Sequence, residues 1–301
     1  MKQQNKNLIR LTTGDLLFKT FVFLYLSVSF VIVLYPLVYV VSASFSGMSA
    51  VVSGRVWLWI VDFTLEAYEY VFKSQNIMMG YRNSIIYTAV GTVFNVMITI
   101  LAAYPLSRKD LKGRAAFTGF FAFTMLFSGG MIATYVVVST VRLMDNMWAL
   151  ILPGSMSVWN MIIMRTYFQS SIPDELYESA SLDGCSDGRF LITIVLPLSK
   201  TILAVIAMFY AVGHWNSYFS PMLYLRDMKK YPLQLVLREI LILGQMESDM
   251  IRAMDAERFR QGLWQVLKYA VIVVSSVPML IVYVCIQKYF IKGVMIGAIK
   301  G

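Results

Sequence analysis

Apolar runs of about twenty residues, nearly free of charge, alternate along the chain with short polar stretches. A run of that length as a helix matches the ~30 Å hydrocarbon thickness of a bilayer. The pattern predicts six spans, at about 16–43, 83–104, 117–140, 148–168, 190–212 and 265–290. Pro36 lies inside the first and Pro278 inside the sixth, where each is expected to kink its helix. The first run follows Lys2, Lys6, Arg10 and Lys19. It is nearly twice the about 7–15 residues of a signal-peptide core, so it is expected to remain as an uncleaved span. The expected fold is an all-α integral membrane protein, one transmembrane domain over 1–301.

Orientation comes from the links between runs. Arg108, Lys109, Lys112 and Arg114 fill the short link after the second run, and Lys288, Lys292 and Lys300 follow the sixth. Basic residues in short links mark the cytoplasmic side, which puts both termini and that link inside the cell. Two segments, 45–82 and 213–264, are then external. The second pulls against the rule, since it carries Arg226, Lys229, Lys230, Arg238, Arg252, Arg258 and Arg260. It also carries Asp227, Glu239, Glu247, Asp249, Asp255 and Glu257. Both segments hold aromatics (Trp57, Trp59, Tyr68, Tyr70; Trp215, Tyr218, Phe219, Tyr224), which fit either an interfacial belt or a docking face for an external partner.

Residues 171–198 form the expected inner loop between the fourth and fifth runs. Ser171 is placed to cap a helix opened by Pro173, with Asp174 and Glu175 in a first turn that favours carboxylates. Ile172, Leu176 and Ala180 form a narrow apolar stripe, and Asp183-Gly184 is a turn signal that ends the helix. A lipid-surface helix would carry Lys and Arg on its polar face. This one carries Asp and Glu around small residues (Ser179, Ala180, Ser181), which suits close approach by another protein.

These residues resemble a known pattern. Glu178-Ser-Ala-Ser-Leu-Asp-Gly184, followed by Ile194-Val-Leu-Pro-Leu198, is similar to the EAA loop of bacterial ABC importer permeases. Ser179 stands where that pattern has its first alanine. The segment from Phe209 to Asn216 with Pro221, the tail from Tyr289 to Gly301, Ser128-Gly-Gly130 and Asp145-Asn-Met-Trp148 look like the maltose-type carbohydrate branch, in its LplC-like oligosaccharide/polysaccharide group. Ala133 replaces a proline usual in that group. The resemblance implies a type I importer permease fold with a cytoplasmic coupling helix. Glu178 would then be a polar contact to an ATPase, Ala180 and Gly184 close-packing points, and Asp183 part of the turn, with Leu196 and Pro197 completing the motif. It further implies a heterodimer with a second homologous permease, two ABC ATPase subunits, an extracellular solute-binding lipoprotein and a bacterial cell-membrane location.

Several polar or helix-weakening residues fall near mid-span: Asn95, Ser128-Gly129-Gly130, Asn160, Ser275 and Ser276. Such residues are costly against lipid, so they line a wet path or join helices to one another. Trp215 and Asn216 end the fifth run, and Trp215 fits a belt residue better than a sugar platform. Gly293 and Gly297 have a helix-packing spacing but follow the sixth span.

Composition narrows the classes. The chain is 58% hydrophobic and 14% charged, against about 45–50% and about 25% in soluble domains. Its net charge of +9 is spread between runs rather than gathered as a nucleic-acid surface. Cys185 and Cys285 have no metal-ligand spacing, and His214 is the sole histidine. No G-x-x-x-x-G-K-[ST] loop occurs, so ATP and Mg are expected on partner subunits, with no cofactor on this chain. A membrane enzyme would need paired acids or a nucleophile with its base inside the spans, and an ion-coupled transporter an intramembrane charge. The spans are read as nearly free of both.

Overall fold

The computed structural model describes residues 12–240 and 263–298. In chain order its helices are α1 (Thr13–Ser44), α2 (Met48–Val52), α3 (Glu66–Lys73), α4 (Gln75–Ser107), α5 (Arg114–Leu126), α6 (Gly130–Thr140), α7 (Trp148–Ile151), α8 (Val158–Ser171), α9 (Asp174–Leu182), α10 (Asp187–Phe190), α11 (Leu196–Leu198), α12 (Lys200–Trp215), α13 (Phe219–Tyr224), α14 (Leu233–Arg238) and α15 (Leu263–Ala298). A π-helical turn, Leu191–Val195, joins α10 to α11, and a 3-10 turn covers Met228–Lys230. The described residues contain no strand. The chain divides into two compact units, Met1–Val71 with Ile251–Val273, and Phe72–Met250 with Val274–Gly301.

In the first unit, α1 starts at a capping box. The Asp15 amide donates to Thr12 Oγ1 (3.3 Å), and the Thr12 amide returns a bond to Asp15 Oδ2 (3.0 Å). Apolar residues then cover every side, and Leu17, Phe23 and Ile32 are largely exposed, as suits a helix made for hydrocarbon. The loop after α1 folds back on its end. Ser42 Oγ donates to the Leu58 carbonyl (2.7 Å), the Val61 amide to Ser46 Oγ (3.0 Å), and the Thr64 amide to the Phe45 carbonyl (3.0 Å). Phe45 stacks on Phe63 and Tyr68, while Trp57 and Trp59 stay exposed.

The second unit is built on α4. Among its buried small and polar residues, Gly80, Ser84, Gly91, Asn95, Thr99 and Ala103 are spaced so that neighbouring helices pack closely against one stripe. Near its C-terminal end, Ala103, Tyr104 and Leu106 form a core with Met161, Met164 and Phe168 of α8, Phe190, Val195, and Ile202, Ile206 and Tyr210 of α12. A smaller cluster joins Val138, Ala149 and Tyr224.

Among the described residues, α1, α4 and 265–288 of α15 are long and apolar enough to cross a membrane. α1 and α15 each remain one helix through Pro36 and Pro278. The second span is longer than expected, beginning at Gln75 and continuing through Pro105 to Ser107. Three expectations need correction. The third span is two helices, α5 and α6, meeting at 107°, because Gly130 takes a positive φ of 76° that few residues tolerate. The fourth is not one helix: Pro153 and Gly154 stop α7, and α8 restarts at Ser157, whose hydroxyl accepts the Asn160 amide (3.4 Å). α8 is about 21 Å long at 1.5 Å per residue, too short to span alone. The fifth turns by 84° between the arm Asp187–Leu198 and α12. Of segment 213–264, residues 241–262 lie outside the described residues, as do 1–11 and 299–301. Arg252, Arg258, Arg260, Glu247, Asp249, Asp255, Glu257 and the terminal Lys2, Lys6, Arg10 and Lys300 fall there.

Asp145 locks the loop before α7 to the segment after α13. At φ 58° it directs Oδ1 at the amides of Arg226 (3.0 Å) and Asp227 (3.1 Å), its own amide donates to the Tyr224 carbonyl (2.8 Å), and Lys230 Nζ pairs with Oδ2. The Lys230 ammonium first, then the two amides, hold the Asp145 carboxyl down to about 2 from an ordinary 3.8. Further on, Asn83 Nδ2 donates to the Lys229 and Tyr231 carbonyls, and the Leu233 amide to Ser84 Oγ (2.8 Å), which seats this segment on α4.

A depressed carboxyl contributes stability above its unfolded pKa and loses it as pH falls through the folded value. Asp145→Ala should therefore lower the melting temperature of the detergent-solubilised protein by about 2–4 °C, equally from about pH 5 to about pH 8. Wild type and variant should converge only toward about pH 2. Convergence already at about pH 5 would contradict the lock.

Candidate coupling elbow and transport path

α9 is a nine-residue helix without a buried side chain. Its N-cap position is Pro173, which offers no side-chain hydrogen bond, while Ser171 belongs to the end of α8; the expected serine cap is absent. What holds the start instead is an ion pair, Lys109 Nζ to Asp174 Oδ2 at 2.6 Å. The lysine depresses the Asp174 carboxyl and is itself raised. Both groups are exposed, so the pair fixes position more than it adds stability. The other end closes in a Schellman motif: the Cys185 amide donates to the Ala180 carbonyl (2.9 Å) and the Gly184 amide to Ser181 (3.0 Å), with Gly184 at φ 75°. Ile172, Ala180 and Cys185 pack against the main core, whereas Leu176 leans to solvent and Leu182 is 90% exposed.

Tyr177 clamps α9 to the bundle. The Arg108 guanidinium lies 3.3 Å above its ring, Phe190 meets it edge-on at 5.3 Å, and its hydroxyl donates to Asp187 Oδ1 (2.9 Å). Glu175, Glu178, Ser179, Ser181, Asp183 and Gly184 face outward. α9 is thus a fixed acidic ridge with small residues at its crest.

The elbow follows directly. Pro197 has no amide to return to the Thr193 carbonyl, and the helix before it widens into the π-helical turn. Pro197 is exposed and Leu196 half-buried. Ser199 then breaks the helix, its amide bonding back to Val195 (3.0 Å), and α12 departs at 84°. Ser199 is fully buried and its hydroxyl has no partner.

Between α4 and α12 runs a polar seam. Asn95, 2% exposed, donates from Nδ2 to the Gly154 carbonyl (3.1 Å) and meets His214 Nε2 at 3.3 Å, leaving Oδ1 unpartnered. Thr99 Oγ1 donates to the Asn95 carbonyl and shares a 2.7 Å bond with the Tyr210 hydroxyl, which accepts the Ser157 amide (2.9 Å). Thr88 and Thr92, on the same helix, also bury hydroxyls without partners. His214 fits only because residue 91 is glycine: a Cβ there would sit 2.5 Å from Nε2.

The mid-span candidates therefore part company. Asn95 and Asn160 are buried between helices, and the Asn95 amide serves as helix-joining chemistry. Ser128, Gly129 and Gly130 are exposed at the α5–α6 bend. Trp215 is no belt residue: it is 3% exposed, its indole donates to the Ser275 carbonyl (3.1 Å), and its ring meets Tyr81 edge-on. Trp215, Asn216, Ser275 and Ser276 border one cavity of about 310 Å³ with Gln234 and Met279. Sequence reasoning missed Tyr210, Thr99 and Arg165. Arg165 had a signal, a lone cation inside the apolar run 148–168. Its Nε donates to the Leu106 carbonyl (2.9 Å), and Gln169 Nε2 to that of Ser107 (3.3 Å), so α8 satisfies the open C-terminal end of α4.

The apolar bundle, its polar seam and the clamped surface ridge define a multi-helix membrane permease. No family model matches the chain. It is 42% identical over 286 residues to YtcP of Bacillus subtilis (strain 168), a polygalacturonan/rhamnogalacturonan transport system permease protein, covering 95% of this chain and 99% of that one. It is 42% identical over 271 residues to Protein LplC of the same organism, with 90% of each covered. A solved bacterial ABC transporter, described as involved in import of the acidic polysaccharide alginate, has a chain similar at TM-score 0.86 and 33% identity, covering 93% of this chain and 99% of that one. The chain belongs to the family of ABC sugar-transport permeases.

Gly91→Ala should displace His214 and lower stability by about 1–3 kcal/mol through overpacking. Adding His214→Ala should recover part of that loss, read as a non-additive cycle in detergent melting curves. Strict additivity would show that the two do not share the notch.

Proposed function

We propose that this chain is a transmembrane subunit of a bacterial importer that takes up an oligosaccharide or polysaccharide fragment. Two of the related proteins are described with carbohydrate polymers, polygalacturonan/rhamnogalacturonan and alginate, which supports a sugar cargo here. In this reading the chain sits in the cell membrane with both termini cytoplasmic and pairs with a second, homologous permease. An extracellular solute-binding lipoprotein delivers the sugar. Two ATPase subunits bind ATP and Mg and perform the hydrolysis, and the permease itself performs none.

The observation that carries the reading is the build of α9. Its polar groups Glu178 and Asp183 face outward, its crest of Ser179, Ser181 and Gly184 admits a close protein surface, and its back is clamped by Tyr177. Force applied by an ATPase to this ridge passes through Tyr177 to Asp187 and Phe190, and along the arm Asp187–Leu198 to the elbow at Ser199. There it meets α12, which Tyr210 and His214 tie to α4. Ala180 and Cys185 keep the ridge from rolling on its support. Asn95, Asn160 and Ser275 act in this scheme as joints near the path, while Trp215 and Asn216 with their cavity are the better candidates for contact with sugar.

The combined change Glu178→Arg with Gly184→Val should abolish uptake of labelled oligogalacturonide and release the ATPase from the detergent-purified complex. The chain itself should remain in the membrane at wild-type level. An intact complex with normal uptake would overturn the role of α9. Wild-type cells that import a labelled amino acid or peptide through this system, and no saccharide, would overturn the cargo.

A further inference from the structure

A second site lies behind α9. A cavity of about 280 Å³, several times the ~30 Å³ of a water molecule, is bordered by Tyr104, Arg108, Lys109, Arg114, Gln169 and Phe190. Two of its cations are already engaged: Lys109 with Asp174, and Arg108 with Asp110 and the Tyr177 ring. Arg114 is not. It makes one long bond, Nη1 to the Arg108 carbonyl at 3.4 Å. Arg165, outside the lining, spends its Nε on the Leu106 carbonyl (2.9 Å). Among the described residues neither meets a carboxylate. The Arg114 guanidinium has five donors in a planar fork, and most of that capacity is unused beside an open cavity.

Arg108, Lys109 and Arg114 line a half-polar hollow whose one lining carboxylate, Asp174, is taken by Lys109. The open fork of Arg114 calls for an anion, and it suits a phosphate better than a single carboxylate. The surroundings choose its carrier. Arg114 opens α5, and Phe117, one turn along the same face, is exposed together with Phe120. A phosphate at Arg114 would therefore have an apolar ridge beside it that continues into the bilayer. We propose that this hollow binds the phosphodiester headgroup of an anionic phospholipid, with Arg114 as its main donor, Arg108 and Lys109 adding to the positive field and an acyl chain lying along Phe117. Basic hollows at the inner ends of membrane helices bind such headgroups. The site rests on the inward orientation given under the proposed function, but lipid retention is read without any transport.

The test is native mass spectrometry of the full chain, purified with whatever subunits accompany it and titrated with phosphatidylglycerol or phosphatidylcholine. Wild type should retain phosphatidylglycerol and shed phosphatidylcholine. Arg114→Gln should weaken phosphatidylglycerol retention about five-fold, with Arg114→Lys in between and Lys112→Gln, on the exposed link, unchanged. Retention by Arg114→Gln equal to wild type overturns the site, as does equal retention of both lipids. Displacement by millimolar inorganic phosphate would make it a free-phosphate site and overturn the lipid assignment. Loss of the ATPase from Arg114→Gln with lipid retention intact would assign the hollow to a carboxylate of that partner, also against the proposal.

Discussion

A helix in hydrocarbon can be interrupted only where other groups take up the backbone bonds it releases. The α7–α8 break and the end of α4 meet that constraint with side chains from elsewhere. The Gly154 carbonyl, freed where Pro153 stops α7, receives the Asn95 amide. The Ser157 amide, at the restart of the helix, finds the Tyr210 hydroxyl. The Leu106 and Ser107 carbonyls at the end of α4 are met by Arg165 and Gln169. At these two places irregular backbone is satisfied by polar side chains of neighbouring helices, which tie the helices together where they depart from regularity.

That constraint explains what could be read in the residues beforehand. α1, α4 and α15 were legible because uninterrupted apolar length is a strong signal with one structural solution. The run 148–168 misled for the same reason. Its mean character is apolar, and Pro153-Gly154 near its start weighs little in a sum over twenty residues, although it decides the backbone. The bend at Ser199 lies two residues past Pro197, which marks an interruption in the sequence, although no residue gives its angle. α9 was legible as a helix with a Gly184 stop, yet its anchorage was not. The contacts of Tyr177 with Arg108 and Asp187 come from parts of the chain that only the fold brings together. Trp215 shows the limit of depth arguments: at the end of a span, a tryptophan serves the interface or the interior, and only its neighbours Tyr81 and Ser275 decide.

The two ends of the larger unit are built on different physics. Around Asp145 the chain is held by a charge inside a cage of amides with an ammonium beside it. Around α9 it is held by an aromatic ring pinned between a guanidinium and another ring, and by a glycine turn. The first arrangement fixes a loop; the second presents a surface. A nine-residue helix would not persist alone in water, so the form of the ridge is imposed by the bundle beneath it.

His214 and Tyr210 stand one turn apart on α12 and engage α4 at Gly91, Asn95 and Thr99. A single contact would let two smooth cylinders slip or spin against each other. Two keyed teeth in two notches do not, and α12 with α4 becomes one crank whose short arm ends at Ser199. On the proposed role of α9, torque entering at that arm would turn the two helices together rather than one against the other.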